Sequence, residues 1–293
     1  MLIITNINEL RAWRRKIAYN SNISFVPTMG ALHAGHMSLV TEAKKRAQYV
    51  VASIFVNPLQ FGANEDLSRY PRPFEHDVAM LEAHGVGVLF APSFEELYAT
   101  GFATQISITS GIDNVLCGKY RAGHFAGVCT VVALLFSLIR PDIALFGEKD
   151  FQQLAIINRM NDDLHLVDEI IGVPTMRESD GLAMSSRNQY LSATQRQIAP
   201  TLYAVMEYVK ERMSANNDIN YDANDNQLYE LLELGKAKIL ASGFDKVDYL
   251  EVRCAEKLML VDEIIYANNK MFNNRIFVAA HLGNTRLIDN ICV

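Results

Sequence analysis

The chain has 293 residues, half of them hydrophobic and a fifth charged, which is the composition of a folded protein with a substantial core. Its net charge is -6, from 27 Lys and Arg against 33 Asp and Glu, so it lacks the basic surplus typical of nucleic-acid-binding proteins. The four cysteines show no CxxC spacing, which argues against a zinc site or a disulfide framework. Neither a secretory signal nor a membrane-spanning run is recognisable, so we expect a cytoplasmic protein.

Short apolar runs alternate with amphipathic stretches through the first part of the chain. They predict strands at 23–26, 50–56, 86–90, 143–146 and 166–172, and helices at 37–48, 74–83, 128–138 and 151–162. Strands that are apolar on both faces and alternate with helices predict a doubly wound, Rossmann-like parallel α/β sheet. In such sheets the ligand binds beyond the carboxyl ends of the strands, so residues that follow strands are the candidate site.

The pattern changes after a polar loop at 174–188. Helices are predicted at 194–213 and 227–242, followed by strands at 247–253, 264–267 and 275–282. Helices followed by strands indicate an α+β unit. We therefore predict two domains, a Rossmann-like one at 1–174 and a smaller C-terminal α+β one at 175–293.

Two histidines follow the strand predicted at 23–26, in the segment PTMGALHAGH that ends at His36. Backbone N–H groups at a helix start favour phosphate oxygens, and imidazoles can donate hydrogen bonds as charge develops during displacement. The plainer interpretation is that His33 and His36 only cap the helix. A strand, a proline and two glycines around the pair favour phosphate binding.

Three later segments carry polar groups at comparable positions. FVNPLQFG contains Gln60, whose amide suits an uncharged hydroxyl or a carboxylate. LFGEKDFQQL contains Lys149, a mobile cation for phosphate. MRESDGLAMSSRN contains consecutive serines before Arg187, a clamp for phosphate oxygens. Each could instead be a turn, a helix start or a linker, and GKYRAGHF is a weaker candidate for an acid or phosphate contact.

Taken together, these segments and GNTRLIDN near the end resemble the pantothenate synthetase (pantoate–β-alanine ligase) family, which belongs to the HxGH nucleotidyltransferases. The resemblance covers nearly the whole chain. It implies that ATP and (R)-pantoate form a pantoyl adenylate, from which β-alanine displaces AMP to give pantothenate. It also implies Mg²⁺ with the nucleotide, and a homodimer formed through the N-terminal domain.

The resemblance assigns roles by position. His36, supported by His33, would act in adenylation with Lys149 and Arg187, and Gln60 and Gln153 would bind pantoate and β-alanine. Ser185–Arg187 would correspond to the mobile KMSK loop of related synthetases, on a C-terminal lid domain. The residues expected at ATP are Met29, Gly30, Ala31, Leu32, His33, Ala34, Gly35, His36, Gly147, Glu148, Lys149, Asp150, Met176, Met184, Ser185, Ser186 and Arg187. No magnesium ligand can be assigned.

One departure and two alternatives stand beside this interpretation. Ala122 lies where the family usually has proline, which should loosen that loop slightly. An adenylyltransferase acting on a phosphorylated small molecule would need more cations around its acceptor. A regulatory nucleotide-binding protein would be expected to lack His36, Lys149 or Arg187, and all three are present.

Overall fold

The computed structural model describes residues 1–18, 20–63, 65–215, 227–260 and 273–293. They form two compact units. The first contains Met1–Asp113, Arg121–Glu148 and Ile156–Met176, and the second contains Asn114–Tyr120, Lys149–Ala155 and Arg177–Val293. Two short segments that precede residue 174 thus group with the second unit. The Gln152 side chain joins these two short segments, since it accepts a hydrogen bond from Cys117 N at 2.9 Å and donates one to Val115 O at 2.7 Å.

The first unit contains a six-stranded parallel sheet with the order β1-β4-β3-β2-β5-β6. This confirms the predicted Rossmann-like fold class. The strands are β1 Leu2–Ile4, β2 Ile23–Thr28, β3 Tyr49–Ile54, β4 Val88–Phe90, β5 Ile143–Gly147 and β6 Glu169–Val173. Five of these match predicted strands. The sequence prediction missed β1, an edge strand of three residues.

Seven α-helices occur before β6 in the described part of the chain. They are α1 Ile7–Lys16, α2 Ala34–Lys44, α3 Phe74–Ala83, α4 Phe94–Leu97, α5 Leu116–Tyr120, α6 His124–Ile139 and α7 Phe151–Leu164. The bounds of α3 are those predicted, whereas α2 and α6 begin three and four residues earlier than expected. Their starts are set by His33 and Gly123, which serve as caps outside the apolar periodicity.

The order in which the chain adds strands to the sheet reverses next to β2. Its neighbours are β3 on one side and β5 on the other, both parallel to it. A crevice forms at such a switch point, beyond the carboxyl ends of the strands. The residues that follow β2 and β5 therefore meet at one edge of the sheet, where the histidine segment and Gly147 lie.

The second unit packs helices against a three-stranded antiparallel sheet. Its elements are α8 Ala193–Ile198, α9 Thr201–Ala215, α10 Gln227–Ala241, β7 Lys246–Cys254, β8 Asn274–Leu282 and β9 Thr285–Cys292. The single helix predicted at 194–213 is two helices, because Pro200 cannot supply a backbone N–H at the junction. β9 was not predicted, and the strand predicted at 264–267 lies outside the described residues. None of the described helices has the length and hydropathy needed to cross a membrane.

Candidate active site

The loop between β2 and α2 has a fixed backbone. Gly30 and Ala31 have φ values of 80° and 50°, a left-handed conformation that is uncommon for alanine. The backbone N–H groups of Ala31 and Leu32 each donate to a carboxylate oxygen of Asp77 at 2.8 Å. A Cβ on Gly30 would lie 2.9 Å from that carboxylate, so a glycine is required both by the φ and by the close approach.

Asp77 itself was not recognised from the sequence. Its carboxylate belongs to α3 and is almost fully buried, 1% exposed. Burial raises the pKa of Asp77, although the two backbone N–H groups and nearby His76 act against the shift. Nothing in the sequence pattern links residue 77 to residues 31 and 32, apart from its being a charged residue on the side of α3 that carries Leu81.

His33 and His36 adopt a reciprocal arrangement at the start of α2. His33 is the N-cap, and its Nδ1 accepts from Gly35 N at 3.2 Å, while Nδ1 of His36 accepts from His33 N at 3.3 Å. An imidazole whose Nδ1 accepts a hydrogen bond carries its proton on Nε2 when it is neutral. Both rings can therefore cap the helix and still present an Nε2–H donor.

Gly35 permits this pairing of the histidines. The two rings lie 4.2 Å apart between centroids, and a Cβ on Gly35 would lie 2.9–3.0 Å from the His33 ring. In the structure the room next to Gly35 is taken by the His33 side chain, with the Cβ of Met176 3.8 Å from the same point.

Gln60 lies buried in a network of amides after β3. Nδ2 of Asn57 donates to Oε1 of Gln60 at 3.3 Å and to the Gly127 carbonyl at 3.1 Å, and Tyr98 donates its hydroxyl to Oδ1 of Asn57. Nε2 of Gln60 lies 2.8 Å from the sulfur of Met29. A Cβ on Gly127 would lie 2.3 Å from the carbonyl oxygen of Leu59, so α6 touches this turn backbone to backbone.

His124 forms a hydrogen bond with the main chain of Gln60. Nδ1 of His124 donates to the Gln60 carbonyl at 2.7 Å, and its Nε2 accepts from Nη1 of Arg121 at 2.8 Å, because a guanidinium can only donate. Arg121 also forms a bidentate pair with Glu65 at 2.7 and 2.5 Å. Burial opposes ionisation of Glu65, but the hydrogen bonds and charges around it, chiefly those of Arg121, together lower its pKa. Because this cation is compensated, the expected phosphate contact of its segment loses its main support.

Ala122 lies in a tight turn that leads into α6. His124 N donates to the Arg121 carbonyl at 3.1 Å, and Gly123 has φ 77° and ψ −10°. These are the values of the third residue of a type II turn, which puts Ala122 at the position where proline is favoured. The turn is therefore formed without proline, and Gly123 supplies the required positive φ.

Further residues predicted for the site follow β5 and β6 in the first unit. Gly147 ends β5, and Glu148 follows it in a half-buried position. Met176, three residues beyond β6, is 38% exposed. At the same edge a cavity of about 440 Å³ is lined by residues that include Met29, Gly30 and Asp77. The first unit thus brings together the predicted residues 29–36, 60, 147, 148 and 176.

The remaining predicted residues belong to the second unit. Lys149 is half-buried, with its Nζ 3.6 Å from Oδ2 of Asp150. Gln153 is half-buried, whereas its neighbour Gln152 is buried and holds α5 as described above. The Met184–Arg187 segment follows a small hairpin in which Arg177 bridges to Ala183. Ser185 caps the turn that follows through an Oγ acceptor for Arg187 N at 3.3 Å, and Ser186 is buried.

No group of three His, Cys, Asp or Glu side chains suited to a metal ion occurs among the residues that the structure describes. Mg²⁺ usually keeps several waters and binds through substrate phosphates and one or two carboxylates.

A Rossmann-like sheet with paired histidines at the helix start after its central strand is the architecture of an α/β nucleotide-handling enzyme. Residues 2–292 match the family described as Pantoate-beta-alanine ligase. The chain belongs to this family of ligases, as its ordered motifs predicted.

Individual relatives agree over almost the full length. The chain is 51% identical to the pantothenate synthetase of Novosphingobium aromaticivorans and 47% identical to that of Neisseria meningitidis, each over at least 98% of both chains. Among solved structures, pantothenate synthetase from Thermus thermophilus is 42% identical with a TM-score of 0.88, covering 99% of both chains. The ligase from Francisella tularensis, complexed with beta-gamma ATP and beta-alanine, is 35% identical with a TM-score of 0.78, covering 100% of this chain and 97% of its own.

Proposed function

We propose that this chain condenses (R)-pantoate with β-alanine at the expense of ATP, through a pantoyl adenylate. A pantoate carboxylate oxygen attacks the α-phosphorus and pyrophosphate leaves. The β-alanine amine then attacks the acyl carbon, loses a proton and expels AMP. The observation that carries the proposal is the histidine pair, whose Nδ1 atoms accept backbone N–H groups and whose donors are therefore at Nε2.

The residues that the proposal assigns to ATP are Met29–His36, Gly147, Glu148, Lys149, Asp150, Met176 and Met184–Arg187. His36 donates to phosphate oxygens as negative charge grows in the transition state, and His33 supports it. Lys149 and Arg187 are the cations that face the departing pyrophosphate, with Ser185 and Ser186 as further donors.

The acid and the amine bind through side-chain amides. Gln60 is buried, has a fixed amide orientation, and adds no charge beside a carboxylate that must act as nucleophile. Gln153 is the second amide assigned to pantoate. We further propose that Mg²⁺ enters with ATP and shields its phosphates, that residues 1–174 bind ATP and pantoate while 175–293 serve as a lid, and that the protein is a cytoplasmic homodimer.

An adenylyltransferase that acts on a phosphorylated acceptor is less well supported. Such an acceptor needs a cation beside the amide cluster, and Arg121, which bonds the Gln60 carbonyl, is paired with Glu65. The uncharged amides of Asn57 and Gln60 suit a diol with one carboxylate better.

The proposal is tested by exchange of labelled pyrophosphate into ATP. Pantoate should drive the exchange without β-alanine, and pantoate amide should not, because it lacks the nucleophilic carboxylate. AMP should accumulate only after β-alanine is added. Failure of pantoate to support exchange would exclude the adenylate route, and exchange driven by a phosphate monoester would favour the alternative.

A further inference from the structure

The segment GNTRLIDN near the end of the chain has no role in the proposed function. Its last two residues, Asp289 and Asn290, lie on β9, are 5% and 3% exposed, and belong to the second unit. Two adjacent buried polar side chains are costly unless they are fully hydrogen-bonded. Their partners are therefore informative.

Asn290 connects β8 to the main chain of Lys149. Its Oδ1 accepts from Nη1 of Arg275, and its Nδ2 donates to the Lys149 carbonyl at 2.9 Å. The Arg275 guanidinium in turn lies 4.0 Å from the centroid of the Phe151 ring. Both ends of the Asn290 amide are thus used, and one of them fixes the backbone from which the Lys149 side chain extends.

Asp289 connects the same strand to the hairpin that precedes Met184–Arg187. It accepts a bidentate pair from Arg177 at 2.6 and 3.0 Å, and Arg177 also donates to the Gly181 carbonyl at 3.0 Å. The Arg177 guanidinium stacks 4.1 Å from the Tyr203 ring centroid. Gly181 has φ 90°, and a Cβ there would lie 2.3 Å from the Tyr203 ring, so the hairpin closes against this stack.

We infer that Asp289 and Asn290 are positioning residues for adenylation, which hold the backbone of Lys149 and the base of the Met184–Arg187 loop from one buried point on β9. The inference rests on the proposed function, in which Lys149 and Arg187 face the phosphates of ATP. Neither Asp289 nor Asn290 needs to contact a substrate. Their effect is to give two cations, 38 residues apart in sequence, a common support within the second unit.

The two half-reactions separate this role from a purely structural one. Cations that face pyrophosphate matter while pyrophosphate is leaving, and they have no such task once the adenylate has formed. Displacing Lys149 by a fraction of an ångström should therefore reduce adenylation and leave acyl transfer nearly unchanged. General damage to the fold would reduce both half-reactions together.

The main variant is Asn290→Asp, which keeps the size and the acceptor for Arg275 but replaces the donor to the Lys149 carbonyl by a carboxylate oxygen. We expect adenylation, measured by pantoate-dependent pyrophosphate exchange, to fall by roughly 10- to 100-fold. Acyl transfer from synthetic pantoyl adenylate to β-alanine should change by less than about threefold. Asn290→Ser, which restores a smaller donor, should recover part of the exchange rate.

Asn161→Asp is the matched control. Its Nδ2 likewise donates to a backbone carbonyl, that of Val167 at 3.0 Å, which lies in the connection between α7 and β6, where no site residue is assigned. Exchange by Asn161→Asp at the wild-type rate is expected. Equal losses in Asn290→Asp and Asn161→Asp, or equal losses of both half-reactions in Asn290→Asp, would overturn the inference.

A double variant distinguishes failure of the inference from failure of the proposed function. If Asn290 acts through Lys149, Asn290→Asp should reduce exchange by less than about threefold in a Lys149→Ala background, since coupled residues are not additive. Additive losses would overturn the inference and leave the function intact. Wild-type exchange by Lys149→Ala would instead remove Lys149 from the proposed function, and the role of Asn290 with it.

Discussion

In each unit a buried carboxylate holds a segment that carries predicted site residues, and the two carboxylates do so in different ways. Asp77 accepts from two adjacent backbone N–H groups of one loop. Asp289 binds a guanidinium bidentately, and Asn290 beside it fixes a backbone carbonyl. The contacts of Asp77 shape the loop before the histidines. Those of Asp289 and Asn290 anchor the segments that carry Lys149 and Arg187.

The difference lies in charge and in sequence separation. Burial raises the pKa of both Asp77 and Asp289, but only Asp289 has a guanidinium that acts against the shift. Asp77 bonds residues 45 and 46 positions away, whereas Asp289 and Asn290 bond residues 112 and 141 positions away. Backbone donors can hold a single loop, while a charged pair can join distant parts of a unit at the risk of a severe loss when one partner is removed.

The largest effect is expected from His36, which follows the loop that Asp77 holds. His36→Ala should lower adenylation by about 100-fold or more, as is typical for the loss of a transition-state hydrogen-bond donor. The measurement is pantoate-dependent exchange at saturating ATP. His84→Ala is the control, because this histidine bonds the Met80 carbonyl at the end of α3. Equal rates for His36→Ala and wild type would remove His36 from the mechanism.

Asp77→Ala tests whether the backbone contacts of Asp77 support both the stability of the fold and adenylation. Two buried N–H groups would lose their acceptor, so we expect a loss of roughly 1–3 kcal/mol in unfolding free energy. The loop before the histidines would also shift, and adenylation should fall by roughly tenfold or more. Urea unfolding and pyrophosphate exchange measure the two effects. Glu75→Ala, at an exposed position of the same helix, is the control; if it matches Asp77→Ala in both assays, the backbone contacts are unimportant.

Asp248 is a carboxylate with more positively charged neighbours than Asp77 or Asp289. Burial raises its pKa, but hydrogen bonds from Lys246, Arg286 and His281 together outweigh burial and lower it to about 2. A lowered pKa contributes stability above the unfolded value of 3.8 that is lost as pH falls towards 2. Asp248→Asn should therefore cost on the order of 2 kcal/mol at pH 6 and almost nothing at pH 2.

The raised pKa of Asp77 has the opposite sign. Its contribution to stability is present below the unfolded pKa and is lost as pH rises through the folded pKa. Unfolding free energies of Asp248→Asn and Asp77→Asn, measured against wild type from pH 2 to 6, should thus diverge in opposite directions. Parallel curves would show that the two carboxylates do not differ in compensation.

The smallest effect is expected from Ala122→Pro, at a turn that takes no part in the contacts of Asp77, Asp289 or Asn290. A proline at the second position of a type II turn matches the φ that the turn requires, so stability should rise by about 0.4–1 kcal/mol. Thermal unfolding measures the gain, and steady-state kcat should not change. Gly123→Ala is the counterpart, and it should destabilise the protein because of the φ of 77°. A loss of stability in Ala122→Pro would contradict the turn assignment.

Much of the fold was predictable because its signals are local. Buried apolar runs indicated β2 to β6, and the periodicity of α3 gave its bounds. The short edge strand β1 was missed, since three residues carry too little pattern. The helix α1 was missed because it is largely polar and buries Leu10 alone, so no apolar run marks it. The break at Pro200 should have been recognised, since proline removes a backbone donor inside a predicted helix.

The site was predictable only in part for the same reason. His33 and His36 stand together in sequence beside the glycines that their geometry needs. Asp77 and Asn290 act through contacts with main-chain atoms far away in sequence, and main-chain atoms leave no trace in residue type. Arg121 was expected to face an anion, and its partner is Glu65, a carboxylate 56 positions earlier in this chain.

The contact between Gly127 and the Leu59 carbonyl has a consequence for protein engineering. Where a helix touches a turn through side chains, trimming one of them can create room for a bulkier acid. Here the turn that presents Gln60 rests on main-chain atoms of α6, with no side chain between them. Saturation libraries aimed at new acid substrates should leave residue 127 unchanged and draw their diversity from other positions.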